Sequence, residues 1–389
     1  MVSRKKVCVI TGTRADYGLL RWVIDGIKNS NLLDLQLIAT GMHLSPEFGM
    51  TVDQIKLDGY PIMREVEILL SSDTPAGISK SIGIGLISFA DIFYDLKPDL
   101  ILLLGDRFEI LSASIAAMIN KIPIAHLHGG ELTEGLIDES IRHSITKMSQ
   151  LHFVASEEYK KRVIQLGENE KFIFNVGGLG IDNIKNLKLL KKAQLENELN
   201  LKFAKKNLLI TYHPVTLETG TNQIQISELI NALKKFKDIN LIFTMPNADT
   251  EGRVIMNTIK KFCSVQKNAI FFTSLGELRY LSCIRYVDGV VGNSSSGLLE
   301  VPSFKKGTVN IGDRQKGRLM ASSVINCEPN QEDIIKGIEI LYSQDFQEKL
   351  KNTINPYGNG GASKKIVKKI ENLTLNEAIL KKEFNDIDF

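Results

Sequence analysis

Carboxylates, histidines and arginines recur in this chain at one kind of position, directly after short apolar runs. Gly105-Asp106-Arg107 follows Leu100 to Leu104, and His126-Leu127-His128-Gly129-Gly130-Glu131 closes the run Ile122 to His126. Asp138-Glu139-Ser140-Ile141-Arg142-His143 then opens a helical stretch. In open α/β sheets ligands bind outside the carboxyl ends of the strands, so these polar residues are the first candidates for chemistry. Asp106, Glu131 and Asp138 can form a carboxylate cluster, in which neighbours push pKa values apart so that one member serves as base and another as acid. Blander readings stand beside this one. Asp106 and Asp138 are also suited to capping helices, Glu139 and Arg142 to the surface, and His143 to ordinary packing. The histidine pair 126/128 invites a metal, but nothing nearby completes a ligand set, and no metal is expected.

A second group of residues suits an anion. Gly12-Thr13-Arg14-Ala15-Asp16-Tyr17-Gly18 is a glycine turn opening a helix, with Arg14 where an anion would meet the helix N-terminus. It lacks both the Walker lysine and Gly-x-Gly-x-x-Gly spacing. Tyr212-His213-Pro214 and Pro246-Asn247-Ala248-Asp249 end two later apolar runs. His213 fits either a diphosphate contact or a backbone partnership. Gly292-Asn293-Ser294-Ser295-Ser296-Gly297-Leu298-Leu299-Glu300 sets three hydroxyls between a strand and a helix start, a phosphate-binding pattern. Glu300, about one turn in, is placed to accept both hydroxyls of a ribose. Capping alone accounts for one serine of the three. Gly312-Asp313-Arg314-Gln315-Lys316-Gly317-Arg318 adds cations after another strand.

The elements that position these groups alternate regularly. Val7 to Thr11, Leu35 to Thr40, Leu100 to Leu104, Ile122 to His126 and Phe172 to Val176 read as buried strands. Between them, Tyr17 to Lys28, Ile78 to Leu96, Phe108 to Asn120, Ser140 to Ser149 and Glu157 to Leu166 carry helical spacing, the pattern of helices covering a parallel sheet. The pattern repeats with strands Asn207 to Tyr212, Ile239 to Met245, Ala269 to Phe272, Tyr286 to Val291 and Gly307 to Ile311. Helices are expected there over Gln223 to Phe236, Thr250 to Phe262 and Gly276 to Ser282. Gly177-Gly178-Leu179-Gly180 reads as a hinge, giving domains 1–180 and 181–362. After the turn-rich Asn355 to Gly361, a long amphipathic helix from about Ser363 to Lys382, within 363–389, is expected to cross back to the first domain.

Composition bounds the classes available. With 389 residues, 43% hydrophobic and 24% charged, the chain suits two globular α/β domains. A net charge of +3, with lysines interleaved among acids, indicates a solvated surface and no nucleic-acid partner. Cysteines 8, 263, 283 and 327 show neither zinc spacing nor a disulfide framework. The N-terminus has no signal-peptide pattern, and no stretch approaches the ~20 apolar residues of a membrane span. A cytoplasmic protein with no membrane partner is the expectation.

Taken in order, the motifs at 12–18, 105–107, 128–131, 141–147, 292–297 and 310–315 resemble those of the hydrolysing UDP-N-acetylglucosamine 2-epimerases of bacterial sialic acid synthesis. The resemblance spans about residues 6 to 320 and implies the GT-B architecture, two Rossmann-like doubly wound domains with the nucleotide sugar between them. It implies nucleotide contacts at Arg14, Gly18, Arg107, His213, Asn247, Ser294, Ser295, Ser296, Glu300 and Arg314, and catalytic acids at Asp106 and Asp138. Relatives often carry a carboxylate where this chain has His128, so His128 and Glu131 share the candidacy for that role. The implied reaction converts UDP-N-acetylglucosamine and water to UDP and N-acetylmannosamine through 2-acetamidoglucal, with no cofactor. The same reaction on UDP-N,N'-diacetylbacillosamine, for legionaminic acid, is the alternative. Other readings are a GT-B glycosyltransferase, a non-hydrolysing epimerase and a silent nucleotide-sugar sensor. A homo-oligomer, dimer or tetramer, is expected by the same resemblance.

Overall fold

A computed structural model of the chain describes residues 4–72, 74–133, 137–214, 221–246, 252–375 and 377–386. Each apolar run becomes a strand because its side chains alternate between two cores. In the first strand, Val7 and Val9 enter one cluster with Leu20, Ile24 and Ile27, while Cys8 and Ile10 enter another with Phe89, Phe93 and Ile110. Burial on both faces selects a parallel sheet sandwiched by helices.

The first sheet arises from β1 (Lys5–Thr11), α1 (Arg14–Lys28), β2 (Leu33–Thr40), α2 (Val52–Leu57), β3 (Ile62–Val66), α3 (Pro75–Leu96), β4 (Leu100–Leu104), α4 (Phe108–Ile119), β5 (Ile124–Leu127), α5 (Ile137–Met148), β6 (Leu151–Val154), α6 (Glu157–Gln165) and β7 (Ile173–Asn175). Its strand order is β3-β2-β1-β4-β5-β6-β7, all parallel. After α7 (Gly180–Asn186) and α8 (Lys192–Glu198), the second comprises β8 (Asn207–Thr211), α9 (Asn222–Leu233), β9 (Asn240–Thr244), α10 (Gly252–Val265), β10 (Ala269–Phe272), α11 (Gly276–Tyr286), β11 (Gly289–Gly292), α12 (Ser296–Leu299), β12 (Gly307–Ile311) and β13 (Val324–Cys327). Its order, β10-β9-β8-β11-β12-β13, repeats the topology of the first. The chain closes with α13 (Gln331–Tyr342), α14 (Gln344–Lys351) and α15 (Ala362–Glu371).

The chain divides into two units between Asn183 and Ile184, and returns to the first at Gly360. That return seats Ala362, Ile366, Val367 and Ile370 of α15 in the core beneath α1. Asp182 caps the incoming helix, accepting from the N–H of Ala362 at 3.1 Å and of Ser363 at 2.7 Å. The final helix is shorter than its amphipathic pattern predicts, stopping at Glu371 rather than continuing to Lys382. Lys5 accounts for the stop, because its ammonium donates to the carbonyls of Ile370, Glu371 and Leu373 at 3.0, 2.6 and 2.6 Å.

Three further differences have local causes. Tyr286 ends α11 and the strand begins only at Gly289, since Val287 already adopts extended backbone and Asp288 bonds back to Asn207. Strands β3, β6 and β13 lack a long apolar run: β3 carries Arg64 and Glu65 at an edge, and β6 is interrupted by His152. Finally, α3 is long and apolar enough, by length and composition, to cross a bilayer, which corrects the expectation that no stretch approaches that limit. Phe89, Phe93 and Leu96 of α3 are nonetheless committed to the core against β4 and α4.

Candidate functional site

Both sheets reverse their strand order at one point, between β1 and β4 and between β8 and β11, and crevices form at the carboxyl ends of such strands. The candidate acids gather at the first of these places, and His213, the serines and Arg314 at the second.

In the first unit the organising group is Arg142, which is 2% exposed although its position near the start of α5 suggests the surface. That expectation is corrected because the guanidinium turns inward onto acceptors from several segments. It pairs with the Asp106 carboxylate and donates to the Glu131 carbonyl at 2.7 Å, Glu139 Oε2 at 2.8 Å and Thr133 Oγ1 at 2.9 Å. A planar fork of five N–H donors meets such a spread of oxygens where an ammonium would not. Glu139 is braced in turn by the Thr133 N–H at 2.6 Å and His143 Nε2 at 3.0 Å. Against the upward push of partial burial, those bonds and Arg142 hold the Glu139 carboxyl below its ordinary range.

Asp106 precedes α4 and does not cap it, because Arg107 takes the N-cap position. Burial raises its pKa, Arg142 opposes the rise, and the charges of Asp138 and Glu131 add to it. Asp138 lies in the first turn of α5. His128 Nδ1 lies 2.9 Å from Glu131 Oε1, so the two residues competing for one role are partners. His128 has φ 64, a left-handed conformation that non-glycine residues adopt rarely and that clusters at functional sites. Asp106, His128, Glu131 and Asp138 therefore share one neighbourhood.

The anion candidates of this unit divide. Arg14 is exposed on the first turn of α1. A Cβ at Gly18 would meet open space, so no close approach explains that glycine. Arg107 is committed to Glu109, a fully buried carboxylate met by its Nε at 3.2 Å and Nη2 at 3.0 Å. It also lines a cavity of about 420 Å³ with Met42, Phe48, Leu69 and Ile78. Asp16 was no candidate on sequence grounds, yet its Oδ2 is buried without a hydrogen-bond partner among the described residues. Burial raises its pKa to about 6.

In the second unit Asn293 does the assembling, and its role is not visible from residue type. Its Oδ1 accepts the His213 N–H at 2.7 Å and its Nδ2 donates to the His213 carbonyl at 2.8 Å, so a side chain carries the pairing two residues past the end of β8. The Asn293 carbonyl accepts from Arg314 Nη1 at 3.0 Å and from the buried Gln315 Nε2 at 2.9 Å. His213, the serine turn and the Arg314 loop are thereby tied together. Ser294 Oγ accepts weakly from the Ser296 N–H, while Ser296 Oγ and Tyr280 Oη are buried behind it.

The helix expected at the serines is a single turn. Pro302 lacks the N–H to continue it, so Glu300 sits at its C-cap and not within it. Burial raises the pKa of the Glu300 carboxyl, Ser296 opposes the rise and the charge of Glu277 adds to it. Asn247 lies outside the described residues. Among the described residues, no three histidines, cysteines or acids are grouped to hold a metal ion.

Two Rossmann-like units of one topology, each with polar groups at its switch point, define a GT-B fold. The solved structure of UDP-GlcNAc 2-epimerase from Neisseria meningitidis, bound to UDP-GlcNAc, superposes with TM-score 0.81 at 22% identity over 94% of this chain and 99% of that one. The sequence model of the family described as UDP-N-acetylglucosamine 2-epimerase matches residues 25–371, and the chain belongs to that family. It is 46% identical to the GDP/UDP-N,N'-diacetylbacillosamine 2-epimerase (hydrolyzing) of Campylobacter jejuni, over 99% of this chain and all of the relative. It is 40% identical to the polysialic acid biosynthesis protein P7 of Escherichia coli, over 98% of each.

Proposed function

We propose that this protein is a hydrolysing 2-epimerase, eliminating UDP from a UDP-2-acetamidohexose and hydrating the product to a free sugar inverted at C2. The observation that carries this reading is the gathering of Asp106 and Glu131 on Arg142, with His128 paired to Glu131 and Asp138 near enough to Asp106 to raise its pKa. The C2 proton is too weakly acidic to leave unaided, so a positioned base takes it while the C1–O bond breaks. The C2–H electron pair forms the C1=C2 double bond and the C1–O pair leaves with UDP. Water then adds its oxygen to C1, giving up one proton to a carboxylate of the cluster, and an acid delivers a proton to C2 from the face opposite to that of the departed one. Asp106, with a raised pKa, is a better base than an exposed aspartate, and Asp106, Glu131, Asp138 and His128 divide the proton transfers between them.

His213, Ser294, Ser295, Ser296 and Arg314 are assigned to the departing diphosphate, where fixed donors stabilise developing charge. Glu300 is assigned to the ribose, with Asn247 and Gly18 nearby in role and Arg14 and Arg107 adding positive charge. Likeness to the Campylobacter relative, named for GDP/UDP-N,N'-diacetylbacillosamine, makes UDP-N,N'-diacetylbacillosamine the first substrate candidate; UDP-N-acetylglucosamine, which the motifs suggest, is the second. A homo-oligomer accords with Ile87, Tyr94 and Ile119, large apolar side chains left exposed on α3 and α4.

The test is incubation in deuterated water with each UDP-sugar and no acceptor, followed by NMR of the products. Stoichiometric UDP and a free hexosamine with one deuterium at C2 are expected. Retention of the original hydrogen at C2, or a sugar still joined to UDP, overturns the reading. The relative turnover of the two sugars decides the substrate.

A further inference from the structure

His126 is wholly buried at the end of β5 and takes no part in the chemistry above. Its Nε2 lies 2.7 Å from the carbonyl oxygen of Gly105, a group that can only accept, so Nε2 carries the proton. Nδ1 is then left as an acceptor 3.1 Å from Thr146 Oγ1. Thr146 stands one turn beyond Arg142 on α5, and its single hydroxyl proton is shared between Nδ1 and the Arg142 carbonyl, 3.0 Å away. Gly129 packs against the same pair: a Cβ there would come 3.2 Å from Nδ1 and 3.0 Å from Thr146 Oγ1.

One ring thus touches the turn leading into Asp106, the loop carrying His128 and Glu131, and the helix carrying Asp138 and Arg142. The other buried histidines of this unit do not make such a junction. His43 joins Thr11 to Thr51, and His152 faces Glu168. Burial lowers the His126 pKa to about 3, so the ring stays neutral and keeps one tautomer throughout the working pH range. Any wholly buried imidazole needs both ring nitrogens satisfied, and what singles out this ring is that its two partners lie on the turn before Asp106 and on the helix of Arg142.

We propose that His126 is a positioning residue for the acid cluster, its fixed tautomer setting the Gly105-Asp106 turn against α5 so that Asp106 stays in register with Arg142. This rests on the reaction proposed above, but it has a readout of its own. A displacement of about 1 Å at a reacting group costs on the order of 10²-fold in rate.

Three variants separate positioning from bulk. His126→Gln can return an N–H to the Gly105 carbonyl, His126→Asn reaches only toward Thr146, and His126→Leu keeps volume alone. The expected result is a kcat lower by about 10²-fold in the Leu and Asn variants, with KM and UDP affinity within about twofold of wild type, and recovery to within about tenfold in the Gln variant. Should the Leu variant fail to fold, the Asn and Gln pair carries the comparison. Asp106 faces Arg142, Asp138 and Glu131, so loosening its pairing moves the acidic limb of the kcat/KM profile upward in the Asn variant.

Independently of turnover, ¹⁵N NMR of the wild type should show His126 protonated at Nε2 without titrating from pH 5 to 9, and Arg142 guanidinium protons slow to exchange. Those protons should become fast in the Asn variant. Wild-type kcat in the Asn variant, a Gln variant as slow as Asn, or a titrating His126 overturns the proposal. A wild type that passes the NMR test but turns over neither UDP-sugar leaves the junction intact and defeats only the reaction.

Discussion

Arg142 is a guanidinium withdrawn almost wholly from water, and its charge is balanced by Asp106 and Glu139 at once. Removing such a partner leaves a carboxylate partly buried and uncompensated, which is costlier than never having formed the pair. Arg142→Leu should therefore raise the Asp106 pKa further, lower kcat by about 10²- to 10³-fold and destabilise the protein by about 3 kcal/mol. Arg142→Lys should fall between, because an ammonium restores the charge without the fork that reaches Thr133 and the Glu131 carbonyl. Steady-state kinetics across pH and a thermal melt check both. The sign follows from the opposing contributions at Asp106: burial already raises its pKa and Arg142 pulls it down, so losing Arg142 can only move it up.

At the scale of elements, the end of β11 shows how a strand presents the turn proposed to bind the diphosphate. Gly292 pairs with Thr211 on one side and Asn310 on the other, then swings to φ 138 so that Asn293 can face His213. A Cβ at Gly292 would lie 2.0 Å from the Thr211 carbonyl oxygen. Gly292→Ala is thus expected to cost about 3 kcal/mol, through strain at positive φ and the parting of β8 from β11. It should weaken UDP binding by breaking the Asn293–His213 bonds, which calorimetric titration and urea unfolding would detect. An alanine variant with wild-type stability and affinity would show that the turn is looser than its geometry. The neighbouring α12 is a contrasting case: its serines lie where a helix should start, and Pro302 ends it after one turn.

At the scale of the whole chain, the first unit is closed by residues far apart in sequence. Glu168, 2% exposed, receives His152 Nε2 at 2.9 Å and the ammonium groups of Lys147 and Lys382 at 2.6 Å each. Although burial pushes the other way, these donors draw its pKa down to about 2. A carboxylate depressed in the folded state stabilises the protein fully above its unfolded pKa near 4.5. That stabilisation, about 3 kcal/mol, is lost as pH falls from there toward 2. Unfolding followed by circular dichroism between pH 2 and 6 should show this loss, and Glu168→Gln should remove it, lowering the melting temperature at pH 6 while flattening the acid dependence. A Gln variant with an unchanged acid profile would place the sensitivity elsewhere.

The alternation of apolar runs and amphipathic stretches determined two parallel α/β sheets, because burial on both faces of a strand and on one face of a helix is written directly in residue type. The positions after the strands marked candidates as well: Asp106, Glu131, His213 and the three serines follow apolar runs, while Asp138, at the start of a helix, entered as a catalytic acid through the family resemblance. What spacing does not carry is direction. Arg142 reads as a surface residue and is buried, Asn293 reads as one polar residue among several and holds the turn, and Glu109 pairs with Arg107. Each owes its role to partners brought near only when strands pair and helices pack, since the desolvation and hydrogen bonding that define these sites depend on neighbours distant along the chain.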